Sequence, residues 1–285
     1  MHSSQDRLYA DVAFLTGLQP ARNFQNVTSL DAAARYIERA FADAGAQPEL
    51  QAWQVHGRTY ENVLASYKAG AARRLVIGAH YDVCGDQPGA DDNASAVAGL
   101  LEVARMVFAQ APPLDYRIDF VAYCLEEPPF FGTESMGSHV HAASLHKAGE
   151  EVMGMISLEM IGYFHSGPQP YPSPELQAIY PATADFIMVV GIQQFADFNE
   201  RVFRLMKGAN APVDVQLIHF PSAGSLAGLS DQRSYWHFGY PALMINDTAF
   251  IRNPHYHQET DTIETLDFEK MAGVVDGVYA AVTGM

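Results

Sequence analysis

The sequence predicts an α/β protein, a three-layer sandwich in which helices flank a mixed, largely parallel central sheet. Three observations predict it. Short apolar runs alternate with longer amphipathic stretches along the 285 residues, the pattern of parallel strands joined by helical crossovers. The runs are apolar on nearly every residue rather than every second one, as strands covered on both faces require. Hydrophobic residues make up 48% of the chain and charged residues 18%, enough to fill such a core. No linker divides the chain, so residues 1–285 read as one domain, with a helical segment over about the first 50 residues.

The elements follow in order. Residues 29–44 (SLDAAARYIERAFADA) form an amphipathic helix with Ser29 or Asp31 as cap, stopped by Gly45 and Pro48. Residues 61–67 (ENVLASY) are a strand, and 74–80 (RLVIGAH) a fully buried one ending on His80. A strong helix over 94–110 precedes a buried strand over 116–125 that runs into Glu126, and the strand over 152–159 ends on Glu159. Strands over 185–191 and 241–247 and helices near 195–208 and 267–282 complete the pattern. Residues 165–181 (HSGPQPYPSPELQAIYP) carry five prolines; they read as an irregular loop, suited to act as a lid over a site.

Lys plus Arg number 17 against 33 Asp plus Glu, a formal charge of −16. Such a surface repels phosphate backbones and anionic membranes, so neither nucleic acid nor membrane is an expected partner. It favours cations, such as metal ions or free amino termini. Cys84 and Cys124 are too few for a disulfide framework and read as free thiols. There is neither a signal-like amino terminus nor an apolar run of membrane-spanning length. The chain as it stands is expected in the cytoplasm, or in the periplasm or outside the cell if a leader has been removed.

Metal-binding residue types sit where apolar strands end, the edge at which open α/β sheets place their crevice. His80 is followed by Asp82, which could hold the second ring nitrogen or brace the loop. Asp91, Asp92 and Asn93 precede a helix, where they could serve as caps or as ligands. In Glu126–Glu127 the two carboxylates diverge, so one can bind a metal while the other faces the water to be activated. Glu159 ends a third strand, and a proline-shaped loop over 253–262 presents His255 and His257. The inventory is histidine and carboxylate without cysteine, which fits a catalytic zinc site better than a structural one.

His80-Tyr-Asp82, Gly89-Ala-Asp-Asp-Asn-Ala-Ser95, Leu125-Glu-Glu127, Leu158-Glu-Met-Ile-Gly162, and His257 with Asp261-Thr262 occur in one ordered set. In this the sequence resembles the M28 zinc aminopeptidases over about residues 60–283. The resemblance implies the zinc-exopeptidase fold and two zinc ions, or other divalent metals in their place. Asp92 would bridge the metals, His80 and Glu159 would complete one, and Glu127 and His257 the other. Glu126 would be the general base, Tyr256 a donor to the developing oxyanion, and Asp82 and Asp231 would stand behind the site. The bond between Asp92 and Asn93 would be cis. His257 is preferred to His255 by its spacing to Asp261. Glu159 is a departure from the many aminopeptidases with Asp there; others, and related cyclases, have Glu.

The implied reaction is hydrolysis of the amino-terminal peptide bond of peptides with a free amino terminus. Phe130, Phe131, Tyr163 and Phe164 could line a pocket for an apolar first side chain. One alternative is a glutaminyl-peptide cyclotransferase holding a single zinc through Asp92, Glu127 and His257. Another is a non-catalytic binding protein, against which the full set of five ligands and a base argues.

Overall fold

The computed structural model describes residues 2–209 and 211–285. Its centre is an eight-stranded sheet. The strands are β1 (Glu49–Val55), β2 (Arg58–Tyr67), β3 (Arg73–His80), β4 (Arg117–Tyr123), β5 (Glu151–Leu158), β6 (Phe186–Ile192), β7 (Asp214–Phe220) and β8 (Ala242–Asn246). They lie in the order β1-β2-β4-β3-β5-β8-β6-β7. The central strands β4, β3, β5 and β8 are parallel, and antiparallel pairings join β2 to β4 and β6 to β8. This is the mixed, largely parallel sheet the sequence implies.

Helices cover both faces. On one lie α1 (Gln5–Thr16), α2 (Val27–Asp43), α3 (Ala96–Gln110), α6 (Ala196–Gly208) and α8 (Phe268–Thr283); on the other lie α4 (Gly137–Ala148) and α7 (Gln232–His237). In β3, Leu75, Ile77 and Ala79 join the first core and Val76 the second, all fully buried. Their apolar character on both faces is the physical reason that run reads as continuous. Among the described residues no helix is long and apolar enough to cross a membrane.

Several boundaries differ from expectation. Helix α2 starts at Val27 because the Asn26 carbonyl already accepts from the Ser29 and Leu30 amides. Ser29 therefore lies inside the helix, its hydroxyl donating to the Pro20 carbonyl, and neither it nor Asp31 is the cap. The strand expected to run to residue 125 ends at Tyr123, because Leu125 turns the chain with φ +63°. The proline-rich segment is not wholly irregular: it holds a short helix, α5 (Pro174–Ile179), capped by the Ser173 hydroxyl and begun by a proline. The edge strands β1 and β7 and helix α4 carry too little apolar periodicity to be seen in the sequence.

Candidate active site

The parallel strands end along one edge, and that edge gathers the donors. His80 is the last residue of β3 and pairs with Tyr123 of β4; Glu126 and Glu127 follow β4, and Glu159 follows β5. The His80 Nδ1–H donates to the Asp82 carbonyl (3.2 Å), which leaves Nε2 to face the cluster. From Nε2, Asp92 Oδ1 is 3.4 Å away, Glu159 Oε2 3.3 Å and Glu126 Oε2 3.8 Å. His257 arrives from the opposite side, its Nε2 lying 3.1 Å from Asp92 Oδ2 and 3.3 Å from Glu127 Oε2. The two oxygens of Asp92 thus face two different histidines, each beside its own glutamate.

Tetrahedral zinc with bonds of about 2.0–2.1 Å has ligand-to-ligand edges of about 3.3–3.4 Å, the spacing seen here. His80, Asp92 and Glu127 each offer a ligand atom within 4.8 Å of the others, and so do Cys84, Glu127 and His257. The donors fit a divalent metal. Cys84 is an addition to the inventory, which expected no sulfur. It shares no bond with Cys124; both thiols are free, Cys124 being fully buried and Cys84 half-buried.

The electrostatics point the same way. His80, Asp92, Glu126, Glu127 and Glu159 are all at least nine-tenths buried, and four carboxylates face two imidazoles. Burial pushes Glu126 well above the usual carboxylate range, with Glu127, Glu159 and Asp231 adding to the rise. Burial and the neighbouring Asp92 lift Glu127 to about 7. Burial would lower both histidines, but the carboxylates override it, raising His257 to about 10 and His80 well above its usual value. A buried excess of negative charge with such displaced protonation is the environment of a functional site that takes up cations.

Backbone contacts hold the donors. The Asp82 carboxylate accepts from the amides of Glu126 and Glu127, each at 3.1 Å. Its role is therefore to brace the loop; its oxygen is 3.6 Å from the His80 ring. Asp261 accepts from the Asp91 amide (2.9 Å) and the Asp92 amide (3.1 Å) and so fixes the turn that carries Asp92. Asp91, Asp92 and Asn93 do not cap α3. Asp91 accepts from the Gly162 amide and from Asn253, while Asn93 bonds the Leu158 carbonyl and the Met160 amide. The Asp92–Asn93 peptide is cis, as expected. Gly89 opens this turn at φ +62°, and a Cβ there would lie 2.3 Å from the Asp92 carbonyl oxygen.

Arg22 was not legible in the sequence. It is buried, and its guanidinium donates to the carbonyls of Leu15, Tyr81, Pro88 and Gly89 at 2.5–3.2 Å. It therefore ties the exit of β3 to the Asp92 turn.

Beside Glu159 opens an apolar pocket of about 100 Å³, walled by Met188, Val190, Ile218, Phe220 and Met244 from the sheet, with Phe250 and Tyr256 at one side. Residues 169, 171, 172, 176 and 180 of the proline-rich segment form another wall. The aromatics expected to line a pocket do not. Phe130 packs on Phe24 and Tyr60, Phe131 on Arg233, and Phe164 on Arg252, while Tyr163 packs on His165 and His255. Tyr256 stacks on the His257 ring with centroids 3.8 Å apart. His255 bonds Thr260 in the loop. Asp231 is fully buried with neither carboxylate oxygen hydrogen-bonded, and burial lifts it to about 7.

A buried histidine–carboxylate cluster on the carboxyl edge of a mixed α/β sheet fits a metal-dependent enzyme. The chain belongs to peptidase family M28, whose model matches residues 62–282. It is 42% identical to the protein YfbL of Escherichia coli (strain K12), over 97% of this chain and 87% of that one. Leucine aminopeptidase 1 of Arthroderma otae is 25% identical over 76% of this chain, which spans only 55% of that protein's length. In fold, the chain resembles a glutaminyl cyclase of Bacteroides thetaiotaomicron (TM-score 0.76, 21% identity, covering 100% of this chain and 99% of that one).

Proposed function

We propose that the chain hydrolyses the amino-terminal bond of peptides at a site holding two zinc ions, and prefers a bulky apolar first residue. The observation that carries this reading is Asp92, whose two oxygens lie 3.4 and 3.1 Å from two different histidines. His80 with Glu159 would hold one ion and His257 with Glu127 the other. When bound, the ions would supply Lewis acidity, making water a usable nucleophile near neutral pH and drawing electron density from the scissile carbonyl.

The chain's own groups do the rest. Glu126 takes a proton from the attacking water and delivers it to the departing amine nitrogen as the carbon–nitrogen bond breaks, help worth about 10²–10⁴-fold. Tyr256 is held well above the usual tyrosine range by burial and by Asp92 and Glu127, so its hydroxyl keeps the proton with which it donates to the developing oxyanion. Asp82 fixes the backbone of the two glutamates. Asp231 stands behind them and adds to the rise of the Glu126 carboxyl, which favours proton uptake by the base. Glu159 borders the apolar pocket, so a first side chain seated there brings its amino group to a carboxylate. Residues 165–181 then serve as the pocket's cover.

The test is to strip the protein, reload it with zinc and count the metal. Leucyl, phenylalanyl, alanyl and glutamyl anilides are then assayed beside a glutaminyl peptide. Two zincs per chain are expected, with leucyl and phenylalanyl substrates turned over at least about tenfold faster than alanyl, since each lost methylene costs roughly 1 kcal/mol or more. Release of pyroglutamate with one zinc and no anilide hydrolysis would replace this reading with the cyclase.

A further inference from the structure

We propose that Cys84 is a further protein donor at the His257–Glu127 half of the site, making that half a nitrogen–oxygen–sulfur centre while the His80–Glu159 half stays nitrogen–oxygen. The proposal rests on the two-cation reading above and adds to it a residue outside its ligand set. Cys84 lies four residues beyond His80, in the loop that also carries Asp82. Its sulfur and a ligand atom from each of Glu127 and His257 all fall within 4.8 Å of one another. A second observation stands apart from the thiol. Glu127 Oε1 is buried without a hydrogen-bond partner, so this corner has an unused donor oxygen on a side chain that is 5% exposed.

The loop is held on both sides of the thiol. The Val83 amide donates to the Arg22 carbonyl at 3.2 Å. Asn23 donates to the Gly85 carbonyl at 2.6 Å and to Asp86 at 3.1 Å. The backbone that carries Cys84 is therefore fixed beside Glu127 and His257. On coordination the thiol releases its proton to solvent as the sulfur–metal bond forms, and the sulfur keeps its electron pair as the donor. Thiolate is a soft ligand that favours zinc or cadmium over magnesium or manganese. The two halves thus differ in kind: the sulfur-bearing half should fill first with a thiophilic ion and release it last to a chelator.

Cobalt(II) reads this directly. The stripped protein is titrated with cobalt; visible bands report uptake at either half, and a near-ultraviolet thiolate-to-cobalt charge-transfer band reports sulfur. The charge-transfer band should grow with the first equivalent and vanish in Cys84→Ser, whose visible bands persist. Cys124 is fully buried, so alkylation of the native protein reports on Cys84 alone. Zinc should slow alkylation by iodoacetamide about tenfold or more, because attack needs a free thiolate. Cobalt uptake without the charge-transfer band, and alkylation at one rate with and without zinc, overturns the role of Cys84 and leaves the paired-ion site standing. No cobalt uptake at all overturns both.

Discussion

Replacing Arg22 by methionine should lower stability sharply although the residue touches no proposed ligand. The substitution keeps the stem and deletes a guanidinium that serves four carbonyls at 2.5–3.2 Å. Left unpaired, each carbonyl costs about 1–3 kcal/mol, an upper sum of about 4–12 kcal/mol. Relief of the guanidinium's own desolvation offsets part of this. Burial is strong enough to bring its pKa down to about 10 against the pull of Asp261, Asp92, Asp82 and Glu127. Removing one partner from a buried charged network costs about 3–5 kcal/mol. With an unfolding entropy of about 2.1 cal/mol/K per residue, a chain of this length should lose about 5–8 °C in Tm. Calorimetry on zinc-saturated protein measures it. Arg22→Lys, which keeps the charge but cannot serve four carbonyls, should fall between. A methionine variant melting within about 2 °C of the parent would refute the view that Arg22 holds the two loops together.

Three further outcomes are expected. Glu126→Gln should lower kcat by about 10²–10⁴-fold with zinc content unchanged; kinetics beside elemental analysis check it, and unimpaired turnover would remove Glu126 as the base. Ile218→Trp narrows the apolar pocket from its half-buried β7 side and should cut kcat/KM for leucyl substrates about tenfold relative to alanyl ones; equal losses would mean that the first side chain binds elsewhere. His141 is buried and bonded to the Tyr235 hydroxyl at 2.6 Å, and burial lowers its pKa from 6.5 to about 4. Between pH 6.5 and 4 the unfolded chain binds a proton that the folded chain refuses, so stability falls with falling pH, by up to about 3 kcal/mol from this residue. His141→Phe should flatten that part of the Tm profile relative to the parent, and parallel profiles would exclude the residue as the cause.

What the sequence displayed and what it hid divide along a physical line. Strands β3, β4 and β5 are covered on both faces, so burial writes itself into every residue and the runs are legible. Strands β1 and β7 form the sheet's edges, and their half-exposed residues carry no such signature. His80, Glu127 and Glu159 stand out because a charged group ending an apolar run is conspicuous, whereas Asp92 and His257 lie in loops and show only through the ordered motif set. Arg22 looks like an ordinary loop charge, since its function lies in backbone groups distant in sequence; Asp261 shows in the sequence only as the spacing partner of His257, and its hold on the Asp92 turn does not show. Cys84 reads only as a free thiol in the sequence, because a lone cysteine carries no spacing pattern until the fold brings Glu127 and His257 beside it. The pocket is hidden for a related reason. Its sheet walls come from β6, β7 and β8, strands that carry none of the proposed ligands.

The sheet order itself explains why the donors fall at ligand spacing. β3 lies between β4 and β5, and neighbouring strands are about 4.8 Å apart. A side chain at the end of β3 is therefore one strand spacing from groups leaving β4 on one side and β5 on the other. His80 holds that middle place, which puts Glu126 and Glu159 at 3.8 and 3.3 Å from one ring nitrogen. The sheet alone supplies only half of the cluster. Asp92 and His257 come in on loops, and Asp261 joins the two by binding the amides of Asp91 and Asp92 from four residues beyond His257. Rigid strands set one half and a braced pair of loops sets the other, with Asp92 as their common member. Loosening Asp261 or Arg22 should therefore disturb the Asp92–His257 half while leaving the His80–Glu159 spacing, which the strands dictate, largely intact.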